Sequence, residues 1–174
     1  MKVKRYIIPI IVVVALIALL IELFVVQSKL DGSSLESREL RLNKLSKLSD
    51  NAHIASEIKI DNYIISGYTC LNSEYGLAIF EPQNDGKYKF QTNYLRKNDE
   101  IIVGHTIVNQ INYNLFWANE ADLDYAEITY TAQGKAPKTV KLDATNNKIL
   151  YYESPYKDYT VEVIFFDIHG NRYE

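Results

Sequence analysis

The chain reads as an all-β protein, an antiparallel β-sandwich preceded by an N-terminal transmembrane helix and a short stalk helix. Three observations carry that reading. A long apolar run, Tyr6–Val26, with Glu22 as its one charge, follows Lys2, Lys4 and Arg5. From about Glu57 onward apolar residues recur at every second position in short segments, the period of a pleated strand with one buried face. The 14 tyrosines, against 6 phenylalanines and one tryptophan, suit rings packed on half-wet sheet surfaces.

The anchor comes first. A helix over residues 6–26 is roughly 31 Å long, close to the thickness of a bilayer's hydrocarbon core. The basic residues ahead of it are expected to stay in the cytoplasm, which puts the chain after Gln27 on the far side of the membrane. A cleavable signal peptide also begins with a basic tip and an apolar core, but this run exceeds the roughly 7–15 residues of such a core and no A-x-A site follows. A cut after Ser28, with Val26 as the other small flanking residue, is a poor substitute. Lipid attachment at a cysteine is excluded more firmly, since the one cysteine is Cys70. Glu22 is the single charge in the run and stands near its outer end, where a carboxylate reaches the interface. Pro9 falls in the first turn, where a missing N–H costs little.

Residues 27–56 read as a connector. The stretch QSKLDGSS from Gln27 is polar with Gly32 inside it, and we expect a hinge there. A stalk helix follows: Ser33 and Glu36 match the capping-box spacing, and Leu35, Leu42, Leu45 and Leu48 recur near one face, with an end near Ser49-Asp50-Asn51. Leu42 and Leu45 are therefore candidate contacts, either for a partner helix or for the folded domain. Two heptads fall short of the three or four that identify a coiled coil.

Residues 57–174 form the outer domain, with strands expected at Glu57–Ser66, Tyr75–Glu81, Lys87–Thr92, Glu100–Val108, Ile111–Ala118, Asp124–Thr131, Lys138–Asp143, Lys148–Glu153 and Tyr159–Asp167. Alternation is clearest where Tyr88 and Phe90 interleave with Lys87 and Lys89, and where Ala126, Ile128 and Tyr130 interleave with Glu127 and Thr129. Asn84-Asp85-Gly86 and Asn146-Asn147 supply residues that tolerate positive φ in tight turns. Gly134 with Pro137, and Gly170 with Asn171, mark further breaks. Short strands at this spacing with few helices between them indicate one antiparallel sandwich.

The tail TVKLDATNNKILYYESPYKDYTVEVIFFDIHGNRYE, residues 139–174, resembles the last strands of bacterial immunoglobulin-like or fibronectin-type-III-like domains. There a strand of the DYTVEVIFFD kind enters a D-x-x-G-N turn, here Asp167, Gly170 and Asn171, before a final edge strand. The whole chain is similar to single-pass proteins of Gram-positive bacteria that carry such a domain outside the membrane. The resemblance implies an immunoglobulin-like sandwich and no particular activity. The Cys…Trp…Cys spacing of antibody-type domains is missing. Minor pilins share the apolar helix and β-rich head, but their glycine cleavage site and early glutamate are not present.

Charge narrows the partners. Setting Lys2, Lys4, Arg5 and Glu22 aside from the 19 basic and 22 acidic residues leaves 16 and 21, a net −5 outside the anchor. That disfavours nucleic acid and bulk adhesion to anionic polymers, while leaving room for a local basic patch. No catalytic signature is present, and no cofactor is implied. His53, His105 and His169 are scattered without metal-ligand spacing. A nucleophilic role for Cys70 would need a base close in space, and the expectation is a buried or partly buried free thiol. Glu120, Asp122 and Asp124 lack the glycine and distal glutamate of a calcium loop. The tyrosines Tyr151, Tyr152, Tyr156 and Tyr159, with Trp117, are candidates for an aromatic platform that would take a sugar or a protein. Alternation puts Tyr151 and Tyr152 on opposite faces. Tyr156, Tyr152 and Trp117 are the residues singled out for binding, with Tyr156 in the Ser154-Pro155-Tyr156-Lys157-Asp158 loop. The expectation is a non-enzymatic, membrane-anchored module engaging an envelope protein or cell-wall glycan. The alternative is an accessory subunit that acts through its anchor and stalk helix.

Overall fold

A computed structural model describes residues 12–13, 15–20, 30–45, 51–71, 74–97 and 101–173. Strands dominate, every pairing is antiparallel, and the one complete helix lies outside the sheets. Helix α1 spans Leu35–Leu45. Four strands follow as a meander: β1 His53–Ile60, β2 Tyr63–Thr69, β3 Glu74–Pro82 and β4 Tyr88–Lys97, in the order β1-β2-β3-β4. The remaining strands are β5 Ile102–Val108, β6 Ile111–Trp117, β7 Leu123–Thr131, β8 Lys138–Asp143, β9 Leu150–Glu153, β10 Thr160–Asp167 and β11 Arg172–Tyr173. They divide into a three-stranded sheet, β5-β6-β9, and a four-stranded sheet, β11-β10-β7-β8.

The layers are thus helix, meander, three-stranded sheet and four-stranded sheet, with an apolar core between each neighbouring pair. Between helix and meander lie Leu42, Ile54, Ile64, Tyr68, Ala78 and Phe80. Between the meander and the three-stranded sheet lie Ile65, Leu77, Ile79, Ile102, Leu115 and Trp117. Between the two later sheets lie Phe116, Ala126, Ile128, Tyr130, Leu150 and Phe165. Two of the sheets are covered on both faces. This explains why β3, EYGLAIFEP, is buried for seven residues in succession, a pattern with no alternation to read.

The expectation of a single segment at Glu57–Ser66 needs correction. Asp61 and Asn62 interrupt it, because Ile60 pairs with Tyr63 across a two-residue turn in which Asp61 has φ +50. Asn109 and Gln110, a turn the sequence reading did not single out, both take positive φ and link Val108 to Ile111. Asn146 and Asn147 also take positive φ. Their turn joins strands of different sheets, so it makes a crossover and not a hairpin.

The helix start differs as well. Ser34, not Ser33, caps α1: its Oγ accepts the Ser37 N–H at 3.1 Å, while Ser33 bonds to Asp31. The stretch expected to hinge is fastened where it is described. The Asp31 carbonyl accepts the Tyr88 N–H at 2.7 Å, and Arg38 donates to the Gly32 carbonyl at 2.7 Å. Gly32 sits at φ +72 with no room for a side chain, since a Cβ would lie 2.6 Å from the Tyr88 carbonyl oxygen.

Arg38 is the bolt between helix and sheet. Its guanidinium forks onto both Glu57 carboxylate oxygens at 2.8 Å, and Ser66 donates to the same carboxylate from the neighbouring strand. This pair rotates the helix. Arg38 and Leu42 face the sheet, and Leu35, expected in the stripe, is 45% exposed. Leu48 lies outside the described residues.

Residues 12–13 and 15–20 are helical, and Val12, Val13, Leu16, Ile17, Leu19 and Leu20 are all more than half exposed. The expected anchor at 6–26 otherwise lies outside the described residues. Among those described, no helix is long and apolar enough to cross a membrane.

Candidate functional site

Antiparallel alternation sorts the loops to two ends. One end gathers the turns at 61–62, 83–87 and 109–110 with the loops at 132–137 and 154–159; Asn109 donates to Asp61 at 2.9 Å and the Ser154 N–H to the Asn112 carbonyl at 2.8 Å. The strap at 30–34 also meets the sheet here, beside Tyr88.

At this end a polar network sits between β6, β7 and the 154–159 loop. Asn114, buried on β6, donates to the Ser154 hydroxyl at 2.9 Å and toward the Tyr130 oxygen at 3.3 Å, and accepts from Tyr159 at 2.8 Å. Ser154 and Tyr159 share a further bond of 2.9 Å. Each buried group is matched, so the loop has a fixed base. Burial pushes the Tyr130 hydroxyl up to about 12, and it stays neutral.

Two predicted binding residues stand on this base. Tyr152, on β9, is half-buried with its ring 5.9 Å from that of Tyr130 and the Lys138 ammonium 5.2 Å from its centroid. Tyr156 donates to the Ala136 carbonyl at 3.2 Å, and Lys135 lies 4.6 Å from its ring centre. The two tyrosines, with Lys135 of the β7–β8 connection and Lys138 at the start of β8, make one aromatic surface that carries two lysines. Lys138 is held above its ordinary pKa, first by its bond to Tyr152. Tyr151 points to the opposite face, edge-on to Tyr113 at 5.9 Å, as alternation requires.

Trp117 does not belong to that surface. It is fully buried between the meander and β6, edge-on to Tyr75 at 5.8 Å. Its indole N–H donates to the Asn147 side-chain oxygen at 2.9 Å. Gly67 makes the room: a Cβ there would lie 2.8 Å from the indole. The expectation failed because alternation fixes which residues share a face, not whether a second layer covers it. Leu42 is likewise spent inside the chain, 3% exposed under α1. Leu45 ends the helix, and its side chain lies outside the described residues.

The remaining candidates do not converge. His53 is 2.9 Å from Glu39, His105 is 3.2 Å from the Tyr94 oxygen, and His169 occupies the β10–β11 turn. Among the described residues no group of three or more His, Cys, Asp or Glu could hold a metal ion. Burial, then Glu74, pushes the Cys70 thiol up, away from a reactive thiolate. Glu120 lines a cavity of about 340 Å³ with Cys70, Glu74 and Tyr173. The backbone carbonyls of Asp122 and Asp124 tie neighbouring connections down by accepting from Ile168 and Ala144 at 2.9 Å.

Sequence reasoning missed a groove of about 680 Å³ between the strap, α1 and the β3–β4 hairpin, lined by Leu30, Arg41, Lys87, Tyr88, Lys89 and Phe90 among others. The Lys-Tyr-Lys-Phe alternation was its one visible signal. No family model, curated protein or solved structure matches this chain.

Proposed function

We propose that this chain is a single-pass membrane protein with a cytoplasmic N-terminus, whose outer domain binds an envelope protein or a cell-wall glycan without chemistry. The anchor rests on the Tyr6–Val26 run and its basic tip. An immunoglobulin-like sandwich at residues 102–173 is supported by seven strands in two sheets, β5-β6-β9 and β11-β10-β7-β8. In the constant-type arrangement the fourth strand joins the sheet of the first, second and fifth. Here β8 pairs with β7 instead, so the reading is of a strand-switched member, with the meander and α1 added on the outer face of β5-β6-β9.

The observation that carries binding is the surface made by Tyr152, Tyr156, Lys135 and Lys138 on its hydrogen-bonded base. Rings that offer an apolar face beside fixed donors are the residues that dominate binding surfaces. The subunit alternative loses support, because Leu42 is buried against the meander.

The test is crosslinking of a tagged full-length chain in intact cells, followed by mass spectrometry, beside Tyr156→Ala and Leu40→Ser. We expect a partner whose capture falls at least several-fold in Tyr156→Ala and persists in Leu40→Ser. Leu40 is the exposed control on α1. Capture unaffected by Tyr156→Ala would remove the binding surface from the account.

A further inference from the structure

We propose that the groove between the strap, Arg41 and the β3–β4 hairpin seats the headgroup of an anionic phospholipid. The inference rests on the anchor reading above and names a partner that reading does not.

Chain length supplies the first argument. Leu30, which lines the groove, follows Val26 by four residues, a span of at most about 14 Å when fully extended. Leu30 is continuous with the fastened strap, whose Asp31 is bonded to Tyr88 and whose Gly32 is bonded to Arg38. A groove tethered so briefly to the end of an anchor stands at headgroup depth.

Charge supplies the second. Arg41, Lys87 and Lys89 line the groove together with Asp31 and Asp85. Asp85 is neutralised within the chain, and Asp31 stays an ionised carboxylate held by neutral donors. Asp85 pairs with Lys87 at 2.7 Å, and Asp31 accepts from the Ser33 N–H, the Ser33 hydroxyl and the Ser37 hydroxyl. Lys89, on β4, is the register partner of Glu81 on β3, whose carboxylate accepts from Tyr63 at 3.3 Å. With Asp85 and Lys87 cancelling, Arg41 and Lys89 against Asp31 leave the lining of a cavity of about 680 Å³ with one net positive charge. The guanidinium fork suits a phosphodiester, and the Tyr88 and Phe90 rings offer an apolar wall to the glycerol and upper chain.

The full-length chain in lipid nanodiscs decides it. Phosphatidylglycerol with a photoreactive headgroup is compared with the matching phosphatidylcholine, and labelled peptides are identified by mass spectrometry. We expect phosphatidylglycerol to label residues 83–97 and the Arg41 turn preferentially. Arg41→Gln and Lys89→Gln should each lower that labelling about fivefold, with melting by circular dichroism unchanged. Equal labelling by the two lipids, or labelling untouched by both substitutions, overturns the proposal while the anchor stands. Displacement by excess inorganic phosphate would make the site one for free phosphate and overturn the lipid. A chain that does not stay in the nanodisc fails at the anchor, and the groove falls with it.

Discussion

Gly67 and Trp117 show how closely one residue depends on another across layers. The indole occupies the space a Cβ would need, so Gly67→Ala should cost about 1–3 kcal/mol by overpacking. Chemical unfolding should give that loss in the native background and a smaller one beside Trp117→Leu; an equal penalty in both counts against the packing account. Tyr130 carries a pH dependence. Burial pushes its hydroxyl up to about 12, from the ordinary tyrosine value of about 10. The folded state favours the neutral form, so its stabilisation is whole below 10 and is lost as pH climbs through the folded value. An ultraviolet titration should find this ring still protonated near about pH 11, and Tyr130→Phe should flatten the alkaline fall in stability. A loss unaltered in that variant would place the alkaline sensitivity elsewhere.

Among the elements, α1 is the one whose role changes most between sequence and structure. Its leucine spacing suggested a stripe free to dock in either of two ways, and the Arg38–Glu57 pair selects the rotation. Leu42 fills the gap over Ile54, Tyr68 and Phe80, and its replacement by Ala should cost about 2–5 kcal/mol. Hydrogen exchange gives a sharper readout than a melting point. In Leu42→Ala, residues 35–45 should lose protection while β6 and β7 keep theirs. Equal loss in both would mean that the helix and the sandwich unfold as one unit. β1 and β2 teach the converse lesson: a turn of Asp61-Asn62 inside an apolar stretch was available to be read, and continuity of β-branched residues hid it.

The whole molecule is a stack in which the middle sheet has no solvent face of its own. Leu115 and Trp117 point from β6 toward the meander, and Phe116 points from the same strand toward β7 and β10. An excised sandwich beginning at residue 98 would therefore expose Ile102, Val108, Leu115 and Trp117 together. Such a patch drives association. Size-exclusion chromatography should find a fragment of residues 98–174 aggregated or oligomeric, and a fragment of residues 30–174 soluble. A monomeric, folded 98–174 would mean that the meander is an accessory and not part of the core.

Read alone, the sequence settled the all-β class, most strand positions and the residues sharing each strand face, because these follow from local period and turn chemistry. It also set the order of a helix ahead of the strands. Tertiary structure decided how many layers there are. It consigned Trp117 and Leu42 to the interior, left Tyr152 and Tyr156 beside two lysines, and assembled a groove from the strap, Arg41 and the β3–β4 hairpin. The physical reason is range. Alternation is a property of neighbours in the chain, whereas burial depends on which distant face arrives opposite, and that is fixed by the summed packing of every layer.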